Sequence, residues 1–163
     1  MLQAAVAQRV LGVDPGTLKL GYAIIEVHGG ARMSYVECGV IKAPNDRDIG
    51  KRLFAVAKDL AEVIVEFAPH VFAIEKAFHG KSAASALALG QARGAMMLLA
   101  HQHGLATFEY APAQVKRTVV GKGAATKEAI AERMKLLFAL RRAPASDAAD
   151  ALAIACCHAL RRL

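Results

Sequence analysis

Two hydrophobic periods divide this chain. Val10-Leu11-Gly12-Val13 is a continuous apolar run that stops at Asp14, and Pro15-Gly16-Thr17 behind it is turn chemistry. Gly21-Tyr22-Ala23-Ile24-Ile25 opens another β-type run soon afterwards, so Asp14 stands at the tip of a strand-turn-strand unit with Gly16 free to take positive φ. Residues 20–28 and 32–42 read as the second and third strands, joined through Gly29-Gly30, and three strands so close in sequence form an antiparallel meander.

The period then lengthens. Ile49, Leu53, Phe54, Ala57, Leu60, Ile64 and Phe67 recur every three or four residues behind the capping candidate Asp48, which predicts an amphipathic helix that Pro69 ends. Val71-Phe72-Ala73-Ile74-Glu75 is a strand of the kind covered on both faces, and it too ends in a carboxylate. A loop over 76–82 leads to a helix over 83–102, where Ala86, Gly90 and Gly94 form a stripe of small residues expected to let another backbone come close, from the sheet or from a second subunit. Residues 105–110 predict a fifth strand, parallel to the fourth. Pro112 opens a short helix through 119 that Gly121-Lys122-Gly123 ends. Thr126 caps the next helix, with Ile130, Met134, Leu137 and Phe138 on one face. Ser146 is expected to cap the last, with Asp147 and Asp150 in its first turn. The order predicts an α/β fold: a mixed five-stranded sheet, three antiparallel strands and then parallel additions, with helices on both faces. All 163 residues suit one domain, with residues 1–8 expected to be a poorly ordered extension.

Composition narrows the function classes. Although 55% of the residues are apolar, no uninterrupted apolar stretch approaches the roughly 18–20 residues of a membrane span, and the N-terminus lacks the charged and apolar regions of a secretory signal. Cys38, Cys156 and Cys157 have no zinc-site spacing, which fits a reducing cytoplasm. The net charge of +7 is lopsided, since Lys and Arg against Asp and Glu give −1 over residues 1–75 and +8 over 76–163. A basic half points to a polyanion partner, because each cation that neutralises a phosphate releases a counterion. Lys116, Arg117, Lys122 and Lys127 lie in an acid-free stretch, 111–127, which suits phosphate contact or a solvated face.

Four acids stand out by position. Asp14 and Glu75 end strands, and Asp147 and Asp150, three apart, share one face of a helix start. Singly each has a plain explanation: a turn former at Asp14, an exit to solvent at Glu75, and macrodipole partners worth about 0.3–1 kcal/mol at Asp147 and Asp150. Taken together they can meet at one edge of the sheet if the first and fourth strands are neighbours. Like charges about 4 Å apart repel by about 4 kcal/mol at an effective dielectric near 20. Divalent cations relieve that repulsion, and all-oxygen ligation favours Mg2+ or Mn2+ over zinc.

Leu11-Gly12-Val13-Asp14-Pro15-Gly16-Thr17, Ala73-Ile74-Glu75, residues 85–94 (SALALGQARG), Glu109-Tyr110-Ala111-Pro112, residues 119–123 (VVGKG) and residues 147–153 (DAADALA) together resemble the RuvC family of bacterial Holliday junction resolvases. The resemblance runs from Val10 to Leu160 in family order. It implies an RNase H-like fold, a homodimer, and paired Mg2+-dependent nicks across a four-way DNA junction that leave 5′-phosphate and 3′-hydroxyl ends. It also implies two Mg2+ ions per site, replaceable by Mn2+, on the catalytic acids Asp14, Glu75, Asp147 and Asp150. Lys116 and Lys127 match basic family positions near the scissile DNA, Phe78 an aromatic that stacks on junction bases, and neighbouring Lys81 can meet phosphate. A branch-migration complex, RuvA and RuvB, is the implied protein partner. The chain departs from the family at Ser82, where asparagine is expected, a difference that bears on cleavage-sequence preference.

Two other readings use the same residues. Asp14-Pro15-Gly16-Thr17 with Gly21 also resembles the phosphate loop of the actin, hexokinase and Hsp70 superfamily, whose members close two such domains around ATP, whereas this chain has room for one. A non-catalytic junction-binding protein could keep the fold, although the intact acidic quartet argues against it.

Overall fold

Residue parity along the central strands decides what packs where. The computed structural model describes residues 7–29, 31–76 and 82–162. Strands β1 (Gln8–Asp14), β2 (Lys19–Val27) and β3 (Met33–Lys42) form the predicted antiparallel meander. After α1 (Ile49–Phe67), β4 (Val71–Glu75) pairs parallel with β1, and α2 (Ala83–Gln102) carries the chain to β5 (Ala106–Tyr110), parallel to β4. The sheet order is β3-β2-β1-β4-β5, with α3 (Pro112–Val120), α4 (Lys127–Leu137) and α5 (Ser146–Arg161) following. The architecture is therefore the α/β mixed sheet that the hydrophobic pattern predicts.

Successive strand residues face opposite sides of a sheet. Val10 of β1 and Val71 and Ala73 of β4 enter the core beneath α3, α4 and α5. Leu11 and Val13, with Phe72 and Ile74, enter the core beneath α1 and α2. Continuing that alternation sends Asp14 and Glu75 to the α5 side. Register brings them together, because Val13 pairs with Ile74 and each acid lies one residue further along its strand.

Helix α5 sits unusually close to the sheet. A Cβ on Gly12 would run into the Ala151 carbonyl oxygen, and one on Gly21 into that of Asp147. Small residues complete the fit from the helix side, where Ala148, Ala149, Ala151, Ala153 and Ala155 are all buried. Since Asp14 pairs with Gly21, the start of α5 is seated beside the end of β1.

Several local expectations are corrected. Gly16 does not take positive φ; glycine is required there because a Cβ would strike the Lys19 carbonyl. Ser146 is the first residue of α5, not its cap, since Ala145 occupies the cap position and accepts the first helical bond from Ala149 N at 2.8 Å. Gln8, expected in the loose N-terminal extension, already belongs to β1, while residues 1–6 lie outside the described part. Gly90 and Gly94 meet nothing within 4 Å, so the sheet is not the backbone that their stripe accommodates. Leu137 is 37% exposed, because α4 ends there and only Ile130 and Met134 of that helix are buried. Other signals are realised directly. Asp48 Oδ1 accepts from Gly50 N at 2.8 Å to cap α1, Thr126 Oγ1 accepts from Ala129 N at 3.2 Å to cap α4, and Gly29 takes φ +88° in the β2–β3 turn.

The seat of α5 is testable. Replacing Gly12 by alanine should cost about 1–3 kcal/mol or more, because the added methyl meets backbone that cannot turn aside. Urea unfolding followed by circular dichroism would measure the loss, and stability equal to the parent chain would contradict this packing.

Candidate active site

The ends of β1 and β4, the start of α5, and helices α3 and α4 enclose a cavity of about 190 Å3. Asp14, Glu75 and Asp150 line it with Lys116 and Lys127, above an apolar floor that includes Val115, Ile130 and Ile154. Asp147 is outside this lining, yet its charge acts on Asp14, Asp150 and Lys127. Three of the four predicted acids thus share one cavity, and the fourth stands within electrostatic reach.

Electrostatics describes the site better than contact distances do. Burial first, and then the charges of Glu75, Asp150 and Asp147, push the Asp14 carboxyl up to about 8. Glu75 is raised by burial and by Asp150, with Lys116, Lys127 and Arg93 pulling it back. Asp150 is raised by burial and lowered by Lys127, whose Nζ lies 3.3 Å from its Oδ2. Desolvation alone would lower Lys127, but Asp150, Asp14 and Asp147 together raise it. Among the described residues no three acid, histidine or cysteine side chains form a ready-made metal cage. The carboxylates face one another at electrostatic range, with a lysine drawn onto one of them.

The basic candidates divide. Lys116 and Lys127 line the cavity, whereas Arg117 and Lys122 are exposed at and beyond the end of α3, outside the lining. Phe78 and Lys81 lie outside the described residues. Ser82, where the sequence departs from the family loop, caps α2, its hydroxyl accepting from Ser85 N at 3.2 Å. His158 is buried, with Nδ1 2.8 Å from the Tyr110 hydroxyl, and desolvation pushes it down to about 4, so it is a packed neutral histidine. A larger cavity, about 670 Å3 between β3 and the α4–α5 connection, contains Glu37, Arg141 and Arg142 but no cluster of acids.

One residue escaped the sequence reading. Arg93 reaches from α2 to the Glu75 carbonyl oxygen, donating from Nε at 2.9 Å. The signal was present: it is the only Lys, Arg, Asp or Glu in the 20 residues of α2.

Comparison with known proteins gives this geometry a family. The sequence model described as Crossover junction endodeoxyribonuclease RuvC matches residues 10–158. The chain belongs to the RuvC family. The RuvC of Bradyrhizobium sp. (strain ORS 278) is 44% identical over 99% of this chain and 90% of its own. The solved structure of Thermus thermophilus RuvC has a TM-score of 0.83 at 33% identity, covering 95% of each chain. T. thermophilus RuvC in complex with Holliday junction substrate has a TM-score of 0.87 at 32% identity, covering 95% of this chain and 94% of that one. Against this match the ATP-module reading of Asp14-Pro15-Gly16-Thr17 is not favoured.

The raised carboxyl of Asp14 fixes a sign. A carboxyl whose folded pKa, about 8, exceeds its ordinary value of 3.8 binds more protons folded than unfolded, so stability falls as pH rises from about 4 to 8. In EDTA, Asp14→Asn should therefore raise the unfolding temperature at pH 8, with the gain shrinking toward pH 4. Calorimetric scans of both proteins across that range would show it, and a gain that grows on acidification would contradict the raised value.

Proposed function

We propose that this protein is a structure-specific endonuclease that resolves four-way DNA junctions by paired, symmetric hydrolytic nicks in recombination and repair. The observation that carries the proposal is the cavity in which Asp14, Glu75 and Asp150 meet under Lys116 and Lys127, within a chain of the RuvC family. Binding of junction substrate by the T. thermophilus relative supports the same substrate here.

The donor chemistry fits hard divalent cations. Every candidate ligand is a carboxylate, and the mutual repulsion that adds to burial in raising Asp14 is the repulsion such ions relieve. We assign Asp14, Glu75, Asp147 and Asp150 as the residues that would hold two Mg2+ ions, with Mn2+ able to substitute. When bound, such a pair supplies an activated water and neutralises charge on the scissile phosphate and its leaving oxygen. The chain itself fixes the frame. Asp14 ends the central strand of the sheet, its backbone paired with Gly21 of β2 and lying one residue beyond the Val13–Ile74 pair with β4. Lys127, paired with Asp150 at 3.3 Å, can exchange that carboxylate for DNA phosphate once cations take over the acids. Lys116, a half-buried residue of α3, presents a second cation at the cavity wall. Arg117 and Lys122, further out, suit flanking phosphates, and Phe78 and Lys81 keep their assigned roles in base stacking and phosphate contact.

Paired nicks require two active sites, and a homodimer related by a two-fold axis supplies them. Leu87, Gly90, Gly94 and Leu98 fall on one outward face of α2, with Leu87 65% and Leu98 62% exposed. A second copy of the chain is the occupant that this face suits, its glycines permitting close helix approach. A branch-migration complex of the RuvA and RuvB kind would deliver the junction.

Incubation with a synthetic four-way junction and Mg2+ or Mn2+ should give symmetric nicks that EDTA abolishes. Asp14→Asn should slow them by at least about 100-fold, as loss of a metal ligand does. Absence of nicks across junctions of varied core sequence would overturn the proposal. Lys116→Ala should weaken binding and reduce the salt slope by about one, read from affinities at several salt concentrations. Leu98→Glu should leave a folded monomer in sedimentation, whereas an unchanged dimer would move the subunit interface elsewhere.

A further inference from the structure

Arg93 divides its guanidinium between a backbone carbonyl and a carboxylate. Its side chain is only 15% exposed, and it is the only Lys, Arg, Asp or Glu of α2. The guanidinium makes two contacts at once: Nε donates to the Glu75 carbonyl oxygen at 2.9 Å, and Nη2 pairs with the Glu109 carboxylate on β5. Glu109 pairs in register with Ile74, the residue just before Glu75. One planar group therefore ties α2, the last residue of β4 and the neighbouring strand together.

The placement matters because β4 ends there. Beyond Glu75, among the described residues, the β4–β5 ladder continues through Lys76 N, which donates to the Tyr110 carbonyl at 2.8 Å. A side chain on the terminal residue of a strand inherits any looseness of its backbone, and Glu75 must meet Asp14 and Asp150 on one side of the sheet. Arginine suits this task better than lysine, since its fixed fork can hold two acceptors in one geometry.

We propose that Arg93 is a positioning residue for Glu75, fixing the end of β4 so that the carboxylate presents itself to divalent cations in the correct orientation. This rests on the reading of Glu75 as a metal-binding acid. The competing role is a plain ion pair with Glu109 that steadies the fold and leaves the site untouched.

Direct cation binding separates the two. Mn2+ titration calorimetry on the full chain, at a temperature where melting curves show every protein folded, should give an affinity about 10–100-fold weaker for Arg93→Ala, the loss typical of residues that orient metal ligands. Arg93→Lys should fall in between, and Glu109→Gln, which frees the fork without touching Glu75, should weaken binding less. Junction affinity in EDTA should not change, and cleavage should recover at high Mn2+. Parent-like Mn2+ affinity in folded Arg93→Ala would overturn the inference. If that variant does not fold, parent-like affinity in both Arg93→Lys and Glu109→Gln overturns it. A parent chain that binds no Mn2+ would remove the metal reading itself and this role with it.

Discussion

The close seat of α5 on the sheet is the constraint on which the rest of the site depends. Gly12 and Gly21 leave bare backbone where a side chain would otherwise hold the helix away, and the alanines of α5 meet them from above. Interiors are packed at crystal-like density, so this contact has little freedom to slide. The start of α5 is thereby fixed beside the ends of β1 and β4, and the carboxylates are brought together by packing rather than by any attraction of their own. A single-methyl error in that seat would displace Asp147 and Asp150 relative to Asp14 and Glu75.

Packing energy is set against electrostatics in the same few residues. Asp14 is held so far from water, and so close to other acids, that its carboxyl rises to about 8. Lys127 offsets part of the repulsion from a costly position, since a cation in the first turn of a helix opposes the macrodipole. Both features run against what local stability alone would choose, and such conflicts mark functional sites. They find a common purpose if the cavity takes cations and a phosphate: the acids bind the former, and Lys116 and Lys127 meet the latter.

How much of this was legible in the sequence follows from how local each signal is. Continuous apolar runs ending in Asp14 and Glu75, and the capping residues Asp48 and Thr126, are written in neighbouring residues and appear in the structure as read. Adjacency of β1 and β4 was only one permitted topology until pairing fixed it. Gly12, Gly16 and Gly21 were visible as glycines, but the backbone each makes room for is distant or turned back, so the reason for glycine was hidden. The small-residue stripe of α2 illustrates the converse, because the sequence carried the feature without its partner. Arg93 was hidden for a third reason. A bond to a carbonyl oxygen leaves no pattern among side chains and its carboxylate partner Glu109 lies on a different element, so its isolation as the only Lys, Arg, Asp or Glu of α2 was the one local signal.

That isolation joins two features of α2 that otherwise look unrelated. Its inner face anchors Ala92, Met96, Leu99 and Ala100 in the core, while its outer face leaves Leu87 and Leu98 exposed. Among the described residues, Arg93 is the point at which the helix touches an acid-bearing strand end through a directional bond. A helix packed by apolar contacts alone can shift by fractions of an ångström at small cost, whereas a guanidinium fork penalises displacement through both of its acceptors.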